Sequence, residues 1–171
     1  MVRVEHVLNS WKTVRYDAAA TVEEFPADDF GFRPTPDVDS FAQIALHILN
    51  AGAGLTGMML AGEADFTVPG FRDRMKEKFT TLTPESGGAA IAAAMRESID
   101  GRTAELAKQP AEWWAQTMTW FDGSQMTRQE LLLFFKEHEL THRSQLFMYQ
   151  RLKGMVPVTT RRRRAQQAGA K

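Results

Sequence analysis

The chain has no cysteine in its 171 residues, which excludes disulfides, thiolate metal sites and a cysteine nucleophile. Any metal ligand must come from His, Asp or Glu, and a reducing cytoplasm suits such a composition. A domain of this length buries about 70% of its unfolded surface and needs no covalent staple. Excess charge of either sign is also missing, since Lys+Arg and Asp+Glu are both 21. The balance is uneven along the chain. Residues 161–171 hold five basic side chains, Arg161 to Arg164 and Lys171, and no acid, so the body carries 16 basic against 21 acidic groups, a net charge of −5. A mildly acidic body is a poor nucleic-acid binder, and no specific nucleic-acid partner is expected.

Long hydrophobic runs are scarce. MVRVEHVLNSWKTV lacks the apolar core of a secretory signal, so the mature protein is expected to start near Met1. Residues 40–62 contain no Asp, Glu, Lys or Arg, but they do contain Ser40, Gln43, His47, Asn50, Thr56 and four glycines. A lipid-facing helix would have to desolvate the imidazole without return, so this stretch reads as a bundle helix rather than a membrane span.

Four segments have helical periodicity, which predicts an all-α four-helix bundle over residues 1–157. The first covers about 4–25, with Val4, Leu8, Trp11, Val14, Ala18 and Val22 three or four apart, and stops before Pro26. After the proline-rich loop PADDFGFRPTPD, the second starts between Asp37 and Ser40, either of which can cap free amides, and runs to Leu60. A long connection from Ala61 to Thr83 follows, with a short helix expected in RDRMKEKF. The third helix opens at TPES and ends near Lys108 to Pro110. Residues 111–125 hold Trp113, Trp114, Trp120 and Phe121 with a turn at Asp122-Gly123, an excursion over the bundle. The fourth helix runs from Thr127 to Lys153 and is stopped by Gly154 and Pro157. Residues 158–171, without apolar periodicity, are expected to be a disordered basic tail.

The fourth helix carries the chemistry. Leu131, Phe135, His138, His142, Gln145 and Tyr149 follow a four-three-four-three-four spacing and share one face. Because Leu and Phe mark that face as a core seam, both histidines are expected to point into the bundle. Four residues apart, two imidazoles lie about 5–6 Å apart at Cβ and can share a metal. The second helix repeats the pattern with Ile44, His47, Ala51, Gly54 and Met58. Three of the four histidines thus project from two helices that can oppose each other, while Ala51 and Gly54 leave room for water or substrate. A lone inward histidine is ordinarily a hydrogen-bonded core residue, but burying three unpaired imidazoles would be costly. His6 reads as a surface or capping residue.

His138-Glu139-Leu140-Thr141-His142 also spells HExxH, the zinc-peptidase motif with Glu as general base. Such enzymes take a third ligand downstream as Glu, Asp or His, and none follows His142. Glu139 is left with two roles: reaching a water at the metal, or pairing with Arg143 four residues on.

EHELTHRSQLFMYQRLKGMVP resembles the final helix of the DinB/YfiT-like family, whose usual form is H-x-x-x-H-R-G-Q followed by Arg, Gly and Pro. SFAQIALHILN is similar to that family's second helix, and FRPTPDVDS to its entry loop. The resemblance spans about Val4 to Pro157. It implies a four-helix bundle, often dimeric, with a divalent ion such as zinc or nickel on His47, His138 and His142. Arg143 and Gln145 match the motif's Arg and Gln, whereas Ser144 stands in place of the common Gly. Relatives of known activity include transferases and isomerases that use bacillithiol or mycothiol.

These readings lead to a metal-dependent enzyme acting on a small molecule, by hydrolysis or by transfer to a low-molecular-weight thiol that would replace the missing cysteine. The alternative is a non-catalytic metal-binding or stress-response module in which the ion pins the second helix to the fourth. A homodimer is expected, from the resemblance and from the ring-rich segment around Trp113 to Phe121. Glu139, Arg143, Gln145, Tyr149, Ala51 and Gly54 are the candidate residues around the ion.

Overall fold

A computed structural model describes residues 2–169. Its seven helices are α1 (Val4–Glu24), α2 (Phe41–Leu60), α3 (Phe71–Lys76), α4 (Gly87–Leu106), α5 (Ala111–Trp114), α6 (Arg128–Leu152) and α7 (Val158–Gly169). The bundle consists of α1, α2, α4 and α6. Both α4 and α6 pack against α1 and against α2, which puts α1 and α2 on one diagonal. Among the described residues no helix is long and apolar enough to cross a membrane.

The starts of α2 and α6 are capped by side chains, whereas Thr83 of TPES caps a separate 3-10 turn (Pro84–Ser86) and α4 begins only at Gly87. Gln43 N donates to Ser40 Oγ over 3.3 Å and Ser40 N donates to Gln43 Oε1 over 2.8 Å, which satisfies two otherwise free amides. Thr127 and Glu130 make the same reciprocal pair at the head of α6. At its end Gly154 takes φ +75°, a left-handed stop that glycine adopts without strain.

Two apolar clusters fill the bundle, one around Phe41, Ile48, Ile91 and Leu146, the other around Trp11, Met59, Ile99 and Leu131. Between them lies a polar layer to which every bundle helix contributes. Arg15 on α1 pairs with Glu139 on α6, donates from Nη1 to Ser98 Oγ on α4 over 3.1 Å, and from Nη2 to the Ile48 carbonyl on α2 over 3.2 Å. A Cβ on Gly52 would collide with the Arg15 guanidinium and lie 2.8 Å from Glu139 Oε1. Glycine at this position makes room for the ion pair.

The segments outside the bundle are more ordered than expected. The 61–83 connection contains α3, and residues 111–127 form α5 and an antiparallel hairpin, β1 (Thr117–Thr119) with β2 (Gln125–Thr127), in which Met118 faces Met126. Residues 158–169 correct the disordered-tail reading, because they form α7, which packs on α1. Arg161 pairs with Glu24 at 2.6 Å and Arg162 with the buried Asp17 at 2.8 Å. The helix is held by charge rather than by an apolar face, which is why apolar periodicity did not reveal it.

Candidate metal centre

α2 supplies His47 and α6 supplies His138 and His142, and one ligand nitrogen from each lies within 4.8 Å of the others. His47 Nε2 is 3.0 Å from His138 Nε2. Two nitrogens bound to one tetrahedral ion at about 2.0–2.1 Å sit about 3.3 Å apart, so small side-chain adjustments suffice to admit an ion. His142 Nδ1 lies 2.7 Å from Gln145 Oε1. With that amide oxygen accepting, Nδ1 carries the proton and Nε2 is left as the donor atom toward the cluster. Burial, with His142 and His47 adding to it, pushes the His138 imidazole down to about 4. Burial also lowers His47, reinforced by His142 and opposed by Asp39. Both are therefore neutral at pH 7, the form that binds metals. The donor set fits a divalent ion.

The histidines do not point into a sealed core as their seam suggested. His47 is exposed and the other two are half-buried. At about 100° per residue, Leu132, Phe135, Glu139, Leu146 and Gln150 form the buried stripe of α6, and His138 and His142 run along its edge. On α2 the core residue is Ile48, beside His47. His47 and His138 consequently line a cleft of about 590 Å³ bounded by α2, α3, α6 and the β1–β2 turn, with His142 beside them in the cluster.

The remaining candidates divide. Ala51 lines this cleft. Gly54 does not: a Cβ there would stand 2.7 Å from Met75 Cγ and 2.8 Å from Phe79 Cε1, so its smallness seats α3. Glu139 neither reaches the cleft nor pairs with Arg143. Its carboxylate is buried against Arg15, which removes the geometric basis for a peptidase general base. Arg143 turns instead to Asp17 at 3.3 Å. Tyr149 is buried and donates its hydroxyl to the Asp39 carbonyl over 2.8 Å, holding the entry to α2 rather than a ligand. His6 lies on the exposed start of α1 beside Arg3 and Glu5, away from the cluster.

Sequence reasoning missed Arg72, Met75, Phe79, Trp120, Phe121 and Phe134, all of which line the cleft. It did mark the RDRMKEKF helix and the ring-rich excursion as ordered, without showing that both fold over the histidines. Trp114 and Trp113 pack at the end of the bundle, the latter under the Arg128 guanidinium at 4.2 Å. That segment is thus largely spent within the chain.

Three convergent imidazoles from two helices, two of them lining an open apolar cleft, make this a helical bundle with a candidate metal site. The DinB superfamily model matches residues 10–146, and the chain belongs to that superfamily. No curated protein matches it. Among solved structures it is similar to the DinB-like protein YjoA of Bacillus subtilis, with 21% identity, TM-score 0.64, and coverage of 90% of this chain and 92% of that one. YfiT from Bacillus subtilis, described as a probable metal-dependent hydrolase with an unusual four-helix bundle topology, matches at 13% identity and TM-score 0.68 over 91% of each chain. A mycothiol-dependent maleylpyruvate isomerase matches at 14% identity and TM-score 0.62 over 85% of this chain but 61% of its own. At these identities the likeness establishes the fold.

Proposed function

We propose that the chain is a metal-dependent enzyme, a hydrolase or a thiol-dependent transferase, whose divalent ion, zinc or nickel, is held by His47, His138 and His142. The observation that carries this reading is the convergence of three imidazole donors, two of which, His47 and His138, line a cleft large enough for a small molecule. Superfamily membership supports it, as do the metal-dependent hydrolase and the mycothiol-dependent isomerase among structural neighbours. Held by these three imidazoles, a divalent ion would supply Lewis-acid chemistry, lowering the pKa of a water or thiol that reaches it.

The protein's own residues shape the rest of the site. Gln145 fixes the His142 ring. The Arg15–Glu139 pair holds the levels of α2 and α6 at which His47 and His138 emerge. Trp120, Phe121 and Phe134 screen one side of the cleft from water. A thiol, where one is used, must arrive from solution, because the chain has none. A homodimer belongs to the same proposal, with Met148 and Leu152 as large exposed apolar residues on α6 outside the cleft; light scattering at tens of micromolar tests it.

The enzyme and the non-catalytic module separate in one experiment. Protein purified without chelator or nickel resin is analysed for metal, loaded with cobalt and titrated with small thiols. A thiol-dependent change in the cobalt spectrum is expected of the enzyme. A spectrum indifferent to every added ligand favours the module.

A further inference from the structure

The cleft beside the histidines has a chemical polarity along its length. One wall is a chain of rings: Phe121 lies 4.8 Å from Trp120, Trp120 lies 5.0 Å from Phe134, and Phe134 stacks on His138 at 6.2 Å and 23°. Leu46, Leu55, Met75 and Phe79 contribute further apolar lining. Two of the polar residues there are already engaged. Asn50 Oδ1 accepts from Thr80 N over 3.0 Å, and Gln43 Oε1 accepts from Ser40 N and from Arg33. Asp39 lies at the α2 entry, close enough for its charge to act on His47.

At the Phe121 end stands Arg72, among the described residues the only Lys or Arg lining the cleft. Its guanidinium lies 4.4 Å from the Phe121 ring centroid. Among the described residues it has no ion-pair or hydrogen-bond partner, while the neighbouring Arg74 is paired with Glu63 at 3.2 Å. Stacking on a ring holds the guanidinium plane but leaves its edge donors free, and that edge matches a carboxylate in two parallel hydrogen bonds.

We infer that the cleft takes a carboxylic acid with an aromatic or extended apolar body. The carboxylate sits on Arg72, the body lies along Phe121, Trp120 and Phe134, and the end remote from the carboxylate points toward His47 and His138. The assignment rests on the enzyme reading for what happens at the histidines, but the binding preference stands by itself. Arg72 is exposed, so a neutral ligand leaves its edge donors to water while a carboxylate gains a charge-assisted pair. Asp39, the carboxylate that also lines the cleft, acts on the His47 side rather than at the Phe121 end.

The probe pair is 1-naphthylacetate and its neutral amide, titrated against the full chain by calorimetry and by fluorescence, with Trp120→Phe identifying the responding ring. The acid is expected to bind about tenfold to a hundredfold more tightly than the amide, the range for a charge-assisted hydrogen bond. Arg72→Gln should abolish that preference while leaving the melting temperature and the number of bound metal ions unchanged. Protein stripped with EDTA should keep the preference, which separates Arg72 from direct coordination of the carboxylate to an ion. Equal affinity for acid and amide, no binding of either at millimolar concentration, or a preference that survives Arg72→Gln overturns the inference. Failure to bind metal with the preference intact overturns the enzyme reading alone.

Discussion

Arg15 and Glu139, 124 residues apart in sequence, form an ion pair at the centre of the bundle with both side chains 2% exposed. Arg15 Nε donates to Glu139 Oε2 over 2.8 Å and Nη2 donates to Oε1, a two-pronged match of guanidinium and carboxylate. The further donations to Ser98 and to the Ile48 carbonyl make this one side chain a junction of all four helices. Ile48 and Glu139 are the immediate neighbours of His47 and His138.

Removing one partner leaves a buried charge without an opposite, whereas replacing both with apolar residues of similar size does not. Arg15→Met or Glu139→Leu is therefore expected to cost about 3–5 kcal/mol, and the double replacement to recover most of it. Urea melts of the three variants measure this. Metal affinity adds a second readout, because a junction that registers α2 against α6 should weaken metal binding when lost, even in the restabilised double variant. An unchanged affinity there would confine Arg15 to stability.

His47→Ala, His138→Ala and His142→Ala should each abolish stoichiometric metal binding and leave helical content nearly intact, since the apolar clusters hold the bundle. Gln145→Ala should bind more weakly rather than not at all, by about tenfold to a hundredfold, as expected for the partner that orients a ligand. Elemental analysis and circular dichroism on the same samples decide it. Any histidine variant that retains one ion per chain takes that residue out of the site.

The bundle was legible because α1, α2 and α6 carry apolar periodicity, because TPES and Pro110 bracket α4, and because the stops at Pro26, Gly154 and Pro157 are strong. The trio of histidines was legible from spacing alone, but their direction was not. A heptad seam and the true buried stripe differ by a fraction of a turn, and on α6 that fraction moves His138 to the cleft and Glu139 to the centre. Arg15 was open to discovery, since it stands between Trp11 and Ala18 on the apolar face of α1. A lone cation on such a face requires a buried partner, and the only question is which acid supplies it. The cleft wall was less accessible, because α3 and the β1–β2 turn reach it through long-range packing that leaves no local period.

The imidazole pKa shifts set a pH dependence for the metal-free protein. In the unfolded chain a histidine takes a proton near pH 6.5, whereas folded His138 does so at about 4, and His47 is displaced in the same direction. Between those values the unfolded state binds more protons, so stability falls as pH drops from about 6.5 toward 4 and is regained as pH rises. In EDTA-treated samples, His138→Gln should show a shallower loss of melting temperature across that window than the parent. Parallel curves would mean that the cluster does not hold His138 neutral.

Asp17 ties α7 to the bundle. Asp17 is 4% exposed and accepts from both Arg143, at 3.3 Å, and Arg162, at 2.8 Å. A carboxylate so withdrawn from water needs its donors, but Arg143 remains when Arg162 is lost, and Arg162 itself is half exposed. The cost of Arg162→Ala should therefore be modest, about 1 kcal/mol, or roughly 2–4 °C in melting temperature. Losing Asp17 has the larger effect, because Asp17→Ala leaves Arg143 facing a buried vacancy and also releases α7. Hydrogen exchange reads the helix directly: amides of residues 162–168 should be protected in the parent, and less so in Asp17→Ala and in Arg161→Ala/Arg162→Ala. If those amides exchange at the rate of an unstructured peptide in the parent, the segment is the solvated tail that its composition suggests, and Asp17 is answered by Arg143 alone.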